Sequence, residues 1–266
     1  MREEQDIDEF RYLGFRRFLP VGALSHRVEC YWSTGSILSP QTVFTETLYP
    51  DGGASLSIDL GSPDRSSCFQ FNSAISRSQF SSSSLILSIR FRPGALFHLF
   101  GISPQDCNDI VVPVQHLLTP IQLSRFFALV DSLTPSDVIS SLTKIEEWLL
   151  EIELSTERST GRVERALAQL APTDTVESMA EAAGTSVRTL ERQFRLEVGM
   201  TPSQVLQYRR MKLARAQLSL SNTHLAKVAL ICGFYDQAHF TRTFTRFVGE
   251  TPSTYRSRKL SDIYKT

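Results

Sequence analysis

Two sets of long polar side chains recur at helical spacing in the second half of the chain. Arg188, Glu191, Arg192 and Arg195 fall on one outer face of a helix with 3.6 residues per turn. Gln237, Ala238, His239 and Arg242 do the same about fifty residues later. These residue types suit the edges of base pairs in a major groove. An arginine fork matches guanine O6 and N7, glutamate accepts from cytosine N4, glutamine suits adenine, and alanine meets the thymine methyl; each good pair discriminates by ~1–3 kcal/mol. Arg195 is better placed for phosphate, and Thr241, Thr243, Thr245 and Arg246 offer further phosphate contacts, which position without specifying. Taken singly, each arginine competes with a solvated surface reading, evenly so at Arg195, and His239 is equally a capping or packing residue.

A weak internal repeat positions both sets. Val176-Glu-Ser-Met-Ala180-Glu-Ala-Ala-Gly184 answers Leu225-Ala-Lys-Val-Ala229-Leu-Ile-Cys-Gly233, and Arg192-Gln-Phe194 through Thr201-Pro-Ser203 answers Arg242-Thr-Phe244 through Thr251-Pro-Ser253. The offset drifts from 49 to 50 residues where Phe234-Tyr235 adds one. Each copy reads as a helix-turn-helix. Ala180 and Ala229 sit where a second helix crosses closely, and Gly184 and Gly233 take the left-handed turn. Ser186 and Asp236 stand at the N-cap of the second helix. Val187, Leu190 and Phe194 in one copy, and Phe240, Phe244 and Phe247 in the other, face inward.

Thr-Pro-Ser then opens a further helix after each copy, with a capping box Thr201-x-x-Gln204 in the first. That helix is expected over 202–220, roughly 28 Å at 1.5 Å per residue. Such a rod sets two probes about one DNA turn apart, near 34 Å. Arg209, Arg210, Lys212 and Arg215 along it are expected partly to buttress the two halves. A protein-binding helical solenoid is the competing reading, but solenoids need three or more repeats.

At these residues the chain resembles the AraC/XylS family of bacterial transcription regulators, over about 162–256. The densest match is Ile231-Cys-Gly-Phe-Tyr-Asp-Gln-Ala-His-Phe-Thr-Arg-Thr-Phe-Thr-Arg-Phe-Val-Gly-Glu-Thr-Pro-Ser-Thr-Tyr-Arg256. Ala238 departs from the pattern, since many members carry Ser there. The resemblance implies a domain of about seven helices whose two helix-turn-helix units read successive major grooves, with Arg188, Glu191 and Arg192 as the foremost base readers. It also implies a transcription regulator, typically an activator, that meets double-stranded DNA and RNA polymerase. Residues 20–150 look like a less characterised N-terminal domain of some members, through Tyr49-Pro-Asp-Gly-Gly53 and Ile89-Arg-Phe-Arg-Pro-Gly94. That likeness implies a β-rich sensory or dimerisation domain without naming an effector.

The first half is read as strands at 42–48, 54–60 and 85–91, from alternation between turn-forming segments 50–53, 61–64 and 81–84. In the third strand Leu85, Leu87, Ile89 and Phe91 share one face, with Ser88, Arg90 and Arg92 on the other. Pro93-Gly94 starts a short helix at 95–100, and helices follow at 121–130 and 137–150. The fold class expected is α+β: an N-terminal antiparallel barrel or sandwich with trailing helices over 1–152, a polar linker at 153–161, and an all-α DNA-binding domain at 162–258.

The 266 residues carry 28 basic and 28 acidic side chains. Residues 1–160 hold 12 basic against 19 acidic, a balance of −7, and residues 161–266 hold 16 against 9, a balance of +7. A basic module for a polyanion joined to an acidic module with another task follows. The split also suggests an acidic domain that covers the basic one until an effector binds; a dimerisation surface alone is the equal alternative, leaving the chain a monomer or a homodimer. With 41% hydrophobic residues the chain is neither disordered nor collagen-like.

Much chemistry is missing. Cys30, Cys68, Cys107 and Cys232 form no C-x-x-C pair and are expected as reduced, mostly buried thiols. The five histidines show no metal-ligand spacing, and no nucleophile elbow, Walker loop or dinucleotide fingerprint occurs. Neither a metal nor a cofactor is therefore expected, nor catalysis. Asp51 reads as a turn residue. Arg90 and Arg92 are candidates for an anionic effector, against a salt bridge or an exposed face. The charged N-terminus and the shortness of apolar runs, against the ~20 residues a bilayer needs, lead to the expectation of a cytoplasmic protein without membrane contact.

Overall fold

The computed structural model describes residues 4–5, 15–35, 43–50, 52–62, 65–81, 85–156, 161–168 and 170–263. Asp51, residues 63–64 of the 61–64 turn, residues 82–84 and residues 157–160 of the linker lie outside them. The chain divides into two compact units, one mainly before residue 159 and one mainly after it.

The first unit is an antiparallel sheet covered by helices. Its strands are β1 (Glu4–Gln5), β2 (Arg16–Phe18), β3 (Val28–Thr34), β4 (Val43–Leu48), β5 (Ala54–Asp59), β6 (Ser67–Phe71), β7 (Ser76–Ser81), β8 (Ile86–Phe91) and β9 (Val111–Pro113). Seven pair in the order β1-β2-β3-β8-β5-β6-β9, and β4 pairs with β7 separately. The large sheet is open rather than a closed barrel, which corrects the barrel reading. Its end strands hold two and three residues, and Pro113 lacks the N–H that further pairing would need.

Central β8 keeps Leu87, Ile89 and Phe91 in the core, with Leu56, Ile58, Phe69 and Phe71 beside them. Ser88, expected on the open face, is buried as well. Its hydroxyl donates to the Leu56 carbonyl at 3.2 Å and lies 3.0 Å from Ser57 Oγ, so the polar group is satisfied where it stands. Strand β3 has no clean alternation because a register shift between Val28 and Cys30 bulges it, exchanging the faces of the residues that follow.

Gly94, at φ 83°, turns the chain from β8 into helix α1 (Ala95–Phe100). Phe100 sets its ring edge-on to Phe69 and Phe91, at 5.7 and 5.9 Å between centroids, and packs on Trp148 at 5.6 Å. Trp148 belongs to helix α3 (Val138–Ser155) and also meets Phe126 of α2 (Pro120–Ser132). One aromatic cluster therefore joins the sheet to all three helices. A Thr119–Gln122 capping box starts α2, and Asp137 caps α3. Arg65 donates to the carbonyls of Val130 and Leu133, closing the C-terminal end of α2.

Helix α3 runs five residues beyond the expected end at Leu150, and an ion cluster holds the added turn. Glu153 accepts from Arg27 Nε at 3.1 Å and from His26 Nε2 at 3.1 Å, with His98 Nε2 at 3.8 Å. Arg27 is buried. The cysteines are free, and burial pushes the Cys107 and Cys232 thiols up to about 11, so they remain protonated.

The second unit holds seven helices among the described residues: α4 (Arg162–Ala168), α5 (Val176–Ala182), α6 (Val187–Glu197), α7 (Pro202–Leu220), α8 (Leu225–Ile231), α9 (Gln237–Val248) and α10 (Pro252–Ile263). Helix α7 has the bounds the sequence predicts, opened by the Thr201–Gln204 capping box. No helix among the described residues is long and apolar enough to cross a membrane.

Burial pushes the Glu153 carboxyl up, but the hydrogen bonds from Arg27 and His26 outweigh it and hold the group below the ordinary range. The stabilisation is complete above the unfolded value of about 4.3 and is lost as pH falls through the depressed one. Glu153→Gln removes the carboxylate that accepts from the buried Arg27 guanidinium, and should destabilise the first unit by about 1–3 kcal/mol at pH 7. Urea unfolding at stepped pH should show that the variant has lost part of the native acid-side slope; parallel curves would remove Glu153 from this role.

Candidate nucleic-acid interface

The two copies of the repeat close their turns with the same hydrogen bonds. In the first, Gly184 N–H donates to Glu181 and Thr185 N–H reaches back five residues to Ala180. In the second, Gly233 N–H donates to Leu230 and Phe234 N–H reaches back to Ala229. Both are Schellman turns, with the glycines at φ 62° and 76°. Ala180 and Ala229 are buried where the helices cross. Ser186 accepts from Thr189 N–H at 3.3 Å and Asp236 from His239 N–H at 2.6 Å, so each second helix has its N-cap, worth ~1 kcal/mol.

Helix α6 turns Leu190 and Phe194 into the core, with Val187 half-buried. Helix α9 buries Phe240, Phe244 and Phe247, where Phe244 meets Tyr255 of α10 and Phe247 meets Tyr208 of α7. The opposite sides carry the polar sets. Arg188, Arg192 and Arg195 are exposed and Glu191 is half-buried between them. Gln237, Ala238, His239, Arg242 and Arg246 are exposed on α9, and Thr241 is half-buried.

Two side chains differ from their sequence reading, and His239 fulfils both of its readings. Thr243 is buried and turned away from the exposed side of α9, because it shares the inner stripe with Phe240 and Phe247. Thr245 has its hydroxyl buried without a hydrogen-bond partner, so it too is withdrawn from the surface. His239 combines an exposed ring with an edge-on contact to Phe234 at 5.3 Å, and thus packs and faces outward at once. Tyr235, which the sequence reading passed over, is 90% exposed in the turn before α9. The one-residue drift of the repeat was its only signal.

The arginines of this unit sort into two groups. Arg165 donates to the Ala183 carbonyl, Arg210 to Pro172 and Asp174, Arg256 to Thr223, Arg215 to Tyr255 Oη, and Arg258 to Glu250. They brace loops and helix ends, as expected for part of the connecting helix. Arg188, Arg192, Arg195, Arg242 and Arg246 make no hydrogen bond or ion pair among the described residues. Even Glu191, with arginines at neighbouring helical positions, forms none. Five cations on the outer faces of two helices are thus left available to an external anion.

The candidates in the first unit are engaged. Arg90 Nη1 donates to Ser55 Oγ at 3.0 Å, and Arg92 Nε donates to the Ser25 carbonyl at 2.7 Å while remaining exposed. No group of three or more potential metal ligands occurs among the described residues.

The two turn glycines differ in their surroundings. A Cβ at Gly184 would meet nothing within 4 Å, whereas one at Gly233 would lie 2.2 Å from the Pro172 carbonyl oxygen. Gly184→Ala should therefore cost only the left-handed backbone, about 1–2 kcal/mol. Gly233→Ala should cost about 1–3 kcal/mol more, since a backbone carbonyl must move. Denaturant unfolding of the two variants would measure the gap; equal losses would contradict this packing.

A helix-turn-helix domain model matches residues 179–258, and a domain of unknown function, DUF6597, matches residues 16–113. The HTH-type transcriptional activator RhaS of Yersinia pestis (strain Pestoides F) is 36% identical over 80 residues, which cover 30% of this chain and 29% of that protein. The HTH-type transcriptional activator RhaR of Enterobacter sp. (strain 638) is 39% identical over 85 residues, 31% of this chain and 29% of its own length. The chain thus spans less than a third of the curated relatives it matches. A solved regulator from Chromobacterium violaceum with an AraC-type DNA-binding domain aligns at 25% identity and a TM-score of 0.35, covering 37% of this chain and 91% of that one. Residues 179–258 are a helix-turn-helix domain of the AraC type, carried in this chain behind a DUF6597 domain.

Proposed function

We propose that the chain is a sequence-specific DNA-binding regulator of transcription whose helices α6 and α9 enter successive major grooves. The observation that carries this reading is the set of exposed arginines on both helices with no partner among the described residues. Arginines meant only to hold the fold would be paired, as Arg165, Arg210 and Arg256 are. Helix α7, 19 residues long, is the spacer between the two probes. Arg188, Glu191, Arg192, Gln237, Ala238, His239 and Arg242 are the base-reading set, with Arg195, Thr241 and Arg246 on phosphates. The kinship with two named activators supports an activating role, exercised with RNA polymerase in the compartment that holds the chromosome. The first unit serves as the regulatory or dimerisation module.

Selection of bound sites from random duplexes with the full chain tests the proposal. A bipartite site with two half-sites about one turn apart is expected. Arg192→Ala and Arg242→Ala should each cost about 1–3 kcal/mol and relax preference at one position only. Arg246→Ala should weaken all sequences alike and reduce the slope of log affinity against log salt by about 1. Recovery of no consensus, or binding indifferent to salt, would overturn the reading.

A further inference from the structure

Helices α1, α2 and α3 line a half-open cavity of about 470 Å3 in the first unit. Its walls are Leu99, Phe100, Trp148 and Ile152, with Ile121, 72% exposed, at the rim. The volume lies in the range of small-molecule sites. Most polar groups lining it are already committed. Gln122 accepts from Thr119 N–H at 2.9 Å and donates to the Phe100 carbonyl at 3.1 Å. Ser155 and Thr156 both donate to the Ile152 carbonyl, at 2.9 and 2.8 Å.

Arg125 is the exception. It lines the cavity, is exposed, and makes no hydrogen bond or ion pair among the described residues. The indole N–H of Trp148 likewise donates to nothing among them. A cavity with aromatic and branched walls and one cation without a partner among the described residues favours a ligand with an apolar body and an anionic end. A sugar would bury hydroxyls that find no partners, and an amine would face the guanidinium. A carboxylate places its charge on Arg125 and its body against Phe100 and Trp148.

We propose that this cavity binds a small monocarboxylate with an aromatic or branched apolar body. The site lies mostly beyond residue 113, outside the stretch matched by the domain of unknown function. It does not rest on the DNA-binding reading, and its test does not use DNA.

The full chain carries two tryptophans, so Trp32→Phe leaves Trp148 as the sole indole reporter. Phenylacetate and 4-methylpentanoate are titrated against their primary amides, following Trp148 fluorescence and, in the native chain, the thermal unfolding midpoint. Saturable fluorescence changes and a raised midpoint are expected with the acids, and about tenfold weaker binding with the amides. Arg125→Gln, a change at an exposed position, should weaken the acids about tenfold and leave the amides unchanged. The proposal is overturned if neither acid changes fluorescence or midpoint, if acids and amides bind alike, or if Arg125→Gln binds the acids as well as the native chain does.

Discussion

Pro172, Arg210 and Gly233 meet at one point of the helical unit, and the carbonyl oxygen of Pro172 is what they share. It accepts from Arg210 Nε at 2.7 Å, and it sits where a Cβ on residue 233 would have to be. Pro172 leads into the first helix-turn-helix, Arg210 lies midway along α7, and Gly233 turns the second. A glycine is demanded there twice over, by its left-handed backbone and by the approaching carbonyl. The orientation of α9 relative to the loop before α5 is therefore set by a backbone contact rather than by adaptable side chains.

That bracing gives the division among the arginines its physical meaning. A guanidinium that donates to an internal carbonyl rigidifies a loop, and its planar fork has fewer donors left for a ligand. Arg165 does this at the C-cap carbonyl of α5, whose last turn has no partner within the helix, and Arg210 and Arg256 do it at carbonyls of the loops that lead into α5 and α8. The exposed arginines of α6 and α9 do the reverse. They stay hydrated on rigid, capped helices, which lowers the entropy lost when a planar partner engages them.

Legibility in the sequence followed the range of the interaction involved. The caps at Ser186, Thr201 and Asp236 and the turns at Gly184 and Gly233 obey rules spanning three to five residues, and the start of α7 could be placed at Pro202 from Thr201-Pro. The site faces were readable because Leu190, Phe194, Phe240 and Phe244 mark the inner stripe. Thr243 was misread because a small polar residue can occupy either side of a helix, and only its neighbours decide. In the first unit, bulged β3 hid its alternation, Ser88 hid behind a hydroxyl satisfied by a strand distant in sequence, and the open edges of the sheet are set by end strands too short to read. The cavity beside Arg125 joins residues from 99 to 156 on three helices, a convergence that no local pattern announces.

The uncommitted cations of α6 and α9 have a consequence for how the purified chain behaves in a test tube. With a sequence pI of about 7.0 and oppositely charged halves, molecules near neutrality have little net repulsion to hold them apart. In dilute buffer the basic faces of one molecule attract the acidic half of another, or whatever nucleic acid survives lysis. Added electrolyte then keeps the chain dispersed instead of precipitating it, a salting-in regime that dictates how it must be handled before any operator is offered to it.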